Sequence, residues 1–212
     1  RTARGLRLAS QRNTIMQLVI ATRNRHKLEE IQALLNVPGL HLSSALDYPG
    51  IPDVEETGAT FEENARLKAV ALQTATGCWA LADDSGLEVD ALNGAPGVYS
   101  ARFAGEPPEY AANNRKLLAM LDGETNRRAR FRTALCLASP DGTCRIVEGR
   151  CEGAIIEAPR GEGGFGYDPI FVPEGETLTF AEMPAERKNE ISHRARALAA
   201  AHDAWADLLR KA

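Results

Sequence analysis

Residues 16–35 read MQLVIATRNRHKLEEIQALL. Residues 16–21 are a short apolar run ending in a polar loop, the pattern of a buried strand. Beyond the loop, Leu28, Ile31, Leu34 and Leu35 recur at helical spacing until Pro38 and Gly39 stop the helix. Strand, polar loop and helix in that order open an α/β arrangement.

The flanking sequence extends the same alternation. HLSSA (41–45) reads as a second strand. Thr60 and Glu63 form a capping-box pair, opening a helix that runs through Ala75 and ends at Gly77. WALADD (79–84) is the next strand, a further short strand is expected at 87–92, and 108–121 reads as a helix. ARFRTALCLAS (129–139) and TCRIVEGRCEGAII (143–156) flank Asp141-Gly142, a hairpin signal. A glycine-rich loop at 161–166 leads into FVP. The chain ends in a helix, with Ala195, Leu198, Ala199, His202, Trp205 and Leu209 on one face. The expected fold class is α/β with a mixed sheet and flanking helices.

Composition narrows the function. A chain of 212 residues, 44% hydrophobic and 25% charged, fits one domain or a domain with a lobe packed on it. The net charge of -4 leaves no overall electrostatic footprint for nucleic acid or an anionic membrane. Cys78, Cys136, Cys144 and Cys151 show no C-x-x-C spacing and the histidines form no H-E-x-x-H, which points to reduced thiols in a cytoplasmic protein. No apolar run approaches the roughly 20 residues that span a bilayer. Residues 1–15 carry four arginines and no acid ahead of Met16, and are read as a leader or gene-start extension outside the domain, which occupies 16–212.

Four motifs carry chemistry. Thr22-Arg23-Asn24-Arg25-His26-Lys27 joins the first strand to the first helix, where free backbone N–H groups and the positive end of the helix dipole favour an anion. It is not a Walker A loop, since no G-K-[ST] occurs. Two acidic pairs, Glu55-Glu56 and Asp83-Asp84, offer the one or two carboxylates that a hard cation such as Mg²⁺ takes beside phosphate oxygens. Adjacent strand side chains point to opposite faces, so only one of Asp83 and Asp84 is expected to meet a given ligand. The third motif, Gly161 to Pro169, contains G-x-G-x-x-G, but Pro169 and FVP follow where a dinucleotide fingerprint must open a helix. Its glycines with Phe165 and Tyr167 suit a purine instead, offering rings to stack and bare backbone for the polar edge. The fourth, Lys188 with Ser192-His193-Arg194, is expected at the start of the last helix, its side chains free of the core.

Together ATRNRHK, EETGATFEENARLKA, LADDSGLEVDALNGAPGVYSARFAG, GGFGYDPIF and ERKNEISHRARAL resemble the noncanonical purine NTP pyrophosphatase family (ITPase/XTPase) across residues 16–212. The resemblance implies an elongated α/β protein whose two lobes enclose a central nucleotide-binding cleft, and a homodimer. It implies hydrolysis of ITP, dITP and XTP to the monophosphate and pyrophosphate with Mg²⁺, and neither nucleic acid nor membrane as partner. By residue, it implies phosphate binding by Thr22 to Lys27 and a proton-accepting, metal-binding Asp84. Ser85 would touch substrate, and Glu56 or Glu55 would be a second metal ligand. Phe165, Gly166, Tyr167, Asp168, Lys188, His193 and Arg194 would contact the base and substrate. Since Arg194 can only donate, which suits an oxo acceptor, it is expected with His193 to recognise the purine 6-oxo edge. Arg23 stands where that family commonly has glycine, and Arg25-His26 where small residues are frequent. Two other assignments fit the same motifs: a Maf-like nucleotide pyrophosphatase with different base preference, and a nucleotide-binding regulator without catalysis.

Overall fold

The computed structural model describes residues 16–35 and 39–209, the last four without their side chains. The expected extension 1–15, the helix stop at Pro38 and the place of Leu209 on its helix face lie outside what is described. The elements are β1 (Met16–Ile20), α1 (Arg25–Leu34), β2 (Leu40–Ser44), α2 (Phe61–Thr76), β3 (Trp79–Val89), α3 (Tyr110–Met120), β4 (Arg128–Ala138), β5 (Cys144–Ile155), β6 (Phe171–Pro173), α4 (Ala185–Ile191) and α5 (His193–Leu209). The sheet order is β2-β1-β3-β4-β5-β6. β1 runs parallel to β2 and β3, and every later pair is antiparallel, so the sheet is mixed as expected.

Two departures from the sequence reading concern β3. D-D-S-G does not end a strand, because β4 pairs with β3 continuously from Ala80↔Ala138 to Val89↔Ala129. The separate strand expected at 87–92 is therefore the second half of β3, and only 90–92 turn off, as a 3-10 helix. The capping box of α2 is also altered. Thr60 Oγ1 accepts from Glu63 N, but the Glu63 carboxylate takes the N–H of Ala59 rather than that of Thr60.

Length in β3, β4 and β5 lets one sheet serve an apolar region at each of its two ends, the first packed on both faces. At one end Leu18, Ile20, Leu81, Leu135 and Leu137 pack beneath Ile31 of α1 and Ala197, Leu198, Ala201 and Trp205 of α5. On the opposite face Ala82, Ala134, Cys136 and Ala138 pack against Phe61, Ala65 and Ala69 of α2. At the other end Leu87, Val89, Ala129 and Phe131 meet Leu117, Tyr167, Phe171 and Phe180. Asp83 to Gly86 lies between these cores, which is where β3 can carry polar side chains without interrupting either one.

The last helix also differs. Ser192 caps the short α4, which places Lys188 in α4, so that only His193 and Arg194 begin α5. Its buried face is Arg194, Ala197, Leu198, Ala201 and Trp205, whereas Ala199 and His202 are exposed. Five of residues 195–201 are alanine, so hydropathy could not set the phase of the helix.

Candidate active site

Asn24 is the N-cap of α1, and its side-chain oxygen accepts from His26 N and Lys27 N. The cap turns Lys27 inward, where its Nζ meets Asp83 Oδ1 at 2.6 Å. Arg25 is exposed. Arg23, expected among the phosphate ligands, is engaged by the neighbouring loop: Nε donates to Asp53 Oδ1 at 2.5 Å, and its terminal nitrogens to the carbonyls of Ala45 and Ile51. This arginine ties the loop after β2 to the end of β1.

Alternation along β3 sends the two aspartates to opposite faces. Asp83 faces α1 and α5, with its side chain fully buried. It accepts from Lys27, from Arg194 Nε at 3.0 Å, from Thr133 Oγ1 at 2.8 Å and from Ser85 Oγ at 3.2 Å. Burial alone would raise this carboxyl, but the charges of Arg194 and Lys27 hold it well below the usual carboxylate range. Asp84 faces α2. Its Oδ1 meets Lys68 Nζ at 2.6 Å, and Asn64 Nδ2 lies 3.3 Å from Oδ2. Burial pushes the Asp84 carboxyl up; Lys68 pulls it down, Glu56 adds to the rise, and the net shift is upward.

Glu56 Oε1 accepts from the same Lys68 ammonium at 2.8 Å, so Glu56 and Asp84 are brought together. Glu55 is exposed and is not part of the group. Desolvation opposes the Lys68 charge, yet its two carboxylates raise its pKa above the ordinary lysine value. Among the described residues no cluster of three or more His, Cys, Asp or Glu converges as a ready metal cage. Two oxygen-bearing carboxylates beside an open cavity nevertheless fit a cation that completes its shell with substrate phosphates.

On the other face, buried charges alternate in sign. Asp168 Oδ2 meets Lys188 Nζ at 2.6 Å, and Lys188 reaches Glu30 Oε1 at 2.7 Å. Glu30 pairs with Arg194, and Arg194 with Asp83. The expectation that Arg194 stands free of the core does not hold, since its side chain is 1% exposed and held by Asp83, Glu30 and Ser85. His193 is also buried, its ring stacked on Phe131 at 4.8 Å, and its Nδ1 has no hydrogen-bond partner among the described residues. Desolvation, with Arg194 next, holds this imidazole well below the usual histidine value, so it is neutral at pH 7. Tyr167, expected to stack on a base, is likewise a core residue, its hydroxyl donating to Ser100 O at 2.8 Å. Phe165 does present its ring. Its backbone N–H is fixed by Asp168 Oδ2 at 2.8 Å, and Gly164 at φ +68° admits that carboxylate where a Cβ would overlap it.

These side chains border two adjoining cavities. One, of about 110 Å³, is enclosed by Ser85, Phe131, Phe165, Gly166, Lys188 and His193, among others. The other, of about 480 Å³, is more open and lined by Thr22, Lys27, Glu56, Lys68 and Asp83. Asn24, Lys27 and Ala101 line both. An apolar, ring-walled chamber continuing into a charged trough has the form of a site for a base and its phosphates.

Sequence reasoning missed Lys68, Glu30, Asn64 and Thr133. Asn64 and Lys68 sit in register with Phe61, Ala65, Ala69 and Leu72 on the buried stripe of α2, and polar residues on such a stripe were the available signal. Glu30 likewise adjoins Ile31 on the inward side of α1.

The chain is similar to known proteins in sequence and fold. The profile of the Ham1 family matches residues 18–204. A "dITP/XTP pyrophosphatase" of Desulforamulus reducens is 54% identical over 185 residues, covering 86% of this chain and 92% of that protein. One of the same name from Streptomyces coelicolor is 55% identical over 188 residues, covering 87% and 94%. Among solved structures, a Ham1 protein of Staphylococcus aureus superposes with a TM-score of 0.81 at 41% identity, covering 92% of this chain and all of that one. A HAM1 protein of Coxiella burnetii gives 0.82 at 40%, covering 93% of this chain and 100% of that one. No described helix is long and apolar enough to cross a membrane.

Proposed function

The chain belongs to the Ham1 family, and from that membership we propose that it hydrolyses noncanonical purine nucleoside triphosphates. The products are the nucleoside monophosphate and pyrophosphate. The observation that carries this reading is the pair of adjoining cavities, bridged by Asn24 and Lys27, with Lys68 on the wall of the open one holding Asp84 and Glu56.

The triphosphate lies in the open cavity, its charge met by Lys27 and by backbone N–H groups at the start of α1. Asp84 accepts a proton from the water that attacks the α-phosphorus, a task suited to a carboxyl raised by burial. Glu56 and Asp84 would hold Mg²⁺, which when bound supplies neutralisation of phosphate charge and acidification of water. Lys68 orients both carboxylates. No covalent intermediate is required.

The base enters the enclosed cavity and stacks on Phe165. Arg194 is engaged by Asp83 and Glu30, so we assign the 6-oxo edge to the backbone N–H groups of Gly166 and Tyr167. These make no hydrogen bond among the described residues and belong to the cavity wall. An adenine amino group would leave such donors unpaired, at about 1–3 kcal/mol each. We also propose a homodimer in the cytoplasm, with residues 16–212 as a single catalytic domain and without nucleic-acid or membrane partners.

The test is pyrophosphate release from ITP, dITP, XTP, GTP, ATP, dTTP and UTP with magnesium, for the parent and Asp84→Asn. Release from the first three, reduced about 10²-fold or more by the substitution, supports the reading. Preference for dTTP or UTP, or nucleotide binding without pyrophosphate release, would remove it.

A further inference from the structure

His26 departs from the small residue that the resemblance leads one to expect, and it lies in the exposed first turn of α1. Its imidazole does not face solvent on both sides. It stacks on Phe165, with ring centroids 5.3 Å apart and an interplanar angle of 11°. The two residues come from different parts of the fold, His26 from the β1–α1 junction and Phe165 from the glycine loop after β5.

The two faces of the Phe165 ring are therefore different. Phe165 lines the enclosed cavity and His26 does not. Lys188 Nζ and Arg194 Cζ, which do line it, lie 5.0 and 5.9 Å from the ring centroid. Tyr110 of α3 tilts against Phe165 at 6.2 Å, and its hydroxyl accepts from Asn24 Nδ2 at 3.3 Å. Asn24 caps the same turn that carries His26. One helix terminus thus steadies the Phe165 ring twice, directly through His26 and indirectly through Tyr110.

We propose that His26 is a positioning residue for base recognition, bracing Phe165 from behind so that its ring forms a fixed wall of the base cavity. Asp168 holds the Phe165 backbone at both its N–H and its carbonyl, which leaves the side-chain torsions of the ring to be set by its neighbours. An unbraced ring there would sample several rotamers, and a base would have to order it on binding. The stack also joins the phosphate-binding turn to the base wall, because Lys27 follows His26 directly. The proposal rests on the reading of Phe165 as the stacking wall.

The experiment is kcat/KM for ITP and ATP on the parent, His26→Ala, His26→Phe, Phe165→Ala and the double variant His26→Ala/Phe165→Ala. An aromatic pair of this kind predicts a roughly two- to tenfold loss of ITP kcat/KM in His26→Ala, appearing in KM with kcat nearly unchanged. His26→Phe, which keeps a flat ring, should restore it. With Phe165 already gone, removing His26 should have no further effect. Parental KM in His26→Ala, failure of His26→Phe to rescue, or multiplicative losses in the double variant would each overturn the brace. If Phe165→Ala itself leaves ITP turnover unchanged, the base wall falls, whereas damage by Phe165→Ala with a neutral His26→Ala removes the brace alone.

Discussion

Asp83 and Asp84 are chemically identical neighbours, and the structure gives opposite expectations for the same substitution at each. Asp83→Asn removes the anion shared by Lys27 and Arg194, whose side chains are 17% and 1% exposed. Breaking a buried ion pair from one side costs about 3–5 kcal/mol, because the partner charge is left uncompensated. Arg194 keeps Glu30, which places the expected loss near the lower figure. For a chain of this size about 3 kcal/mol lowers Tm by roughly 6–12 °C. The pH dependence has a definite sign. The folded-state carboxyl of Asp83 lies well below its unfolded value, so its stabilisation is complete above about pH 4 and is lost as pH falls through the folded value. The gap between parent and Asp83→Asn in urea unfolding should be constant from pH 8 to 5 and narrow only below about pH 4. Asp84→Asn should behave otherwise. Its carboxyl is raised, and Lys68 keeps Glu56, so the fold should lose under about 1 kcal/mol while turnover largely disappears. An Asp83→Asn protein within about 1 kcal/mol of the parent at pH 7 would refute the argument, since it would mean that these buried charges are not paired as described.

Three further outcomes follow. Lys68→Met removes the cation shared by Asp84 and Glu56, so both carboxyls should rise and the acid limb of the kcat/KM–pH profile should move to higher pH; an unmoved limb would exclude Lys68 as their electrostatic partner. His193 is held neutral, with its folded value well below the unfolded value of about 6.5, so its stabilisation is complete above that pH and declines as pH falls. Denaturant unfolding should show the parent losing up to about 1.4 kcal/mol per pH unit between 6.5 and 5, and His193→Gln should flatten that slope. Gly149→Ala would set a Cβ into the backbone of His193 and Ala197, so calorimetry should show a loss of about 1–3 kcal/mol or more and assays a parallel fall in kcat; a silent substitution would mean that α5 does not seat against β5 this closely.

What could be read in the sequence was local. The turn around Asn24 announces itself because cap, basic residues and helix start are contiguous, and the Asp141-Gly142 hairpin fixes the β4–β5 register from two residues. The opposite orientations of Asp83 and Asp84 follow from strand geometry alone. What could not be read depends on separation in the chain. Arg194 reads as a side chain free of the core because its counter-charges, Asp83 and Glu30, lie 111 and 164 residues away. Tyr167 looked like a stacking ring beside Phe165, and only the packing around Phe131 and Phe171 shows it to be core. Arg23 reads as a phosphate ligand from its place in the turn, and only the fold brings Asp53, Ala45 and Ile51 to it.

The distribution of buried charge gives the two adjacent aspartates different surroundings. On the α1/α5 face the carboxylates of Asp168, Glu30 and Asp83 are matched by Lys188, Arg194 and Lys27, so that face is electrically balanced without a ligand. On the α2 face Asp84 and Glu56 meet Lys68, with Arg102 only at 3.7 Å from Glu56. There the two carboxylates share one ammonium, and burial, the largest cause, moves the Asp84 carboxyl upward. A triphosphate arriving alone would bring further negative charge to this pair, whereas one arriving with a divalent cation would offset it. The strand's alternation therefore places the Asp83 network and the Asp84–Glu56 pair on opposite faces, and Lys27, on the wall of both cavities, is the cation that lies between them.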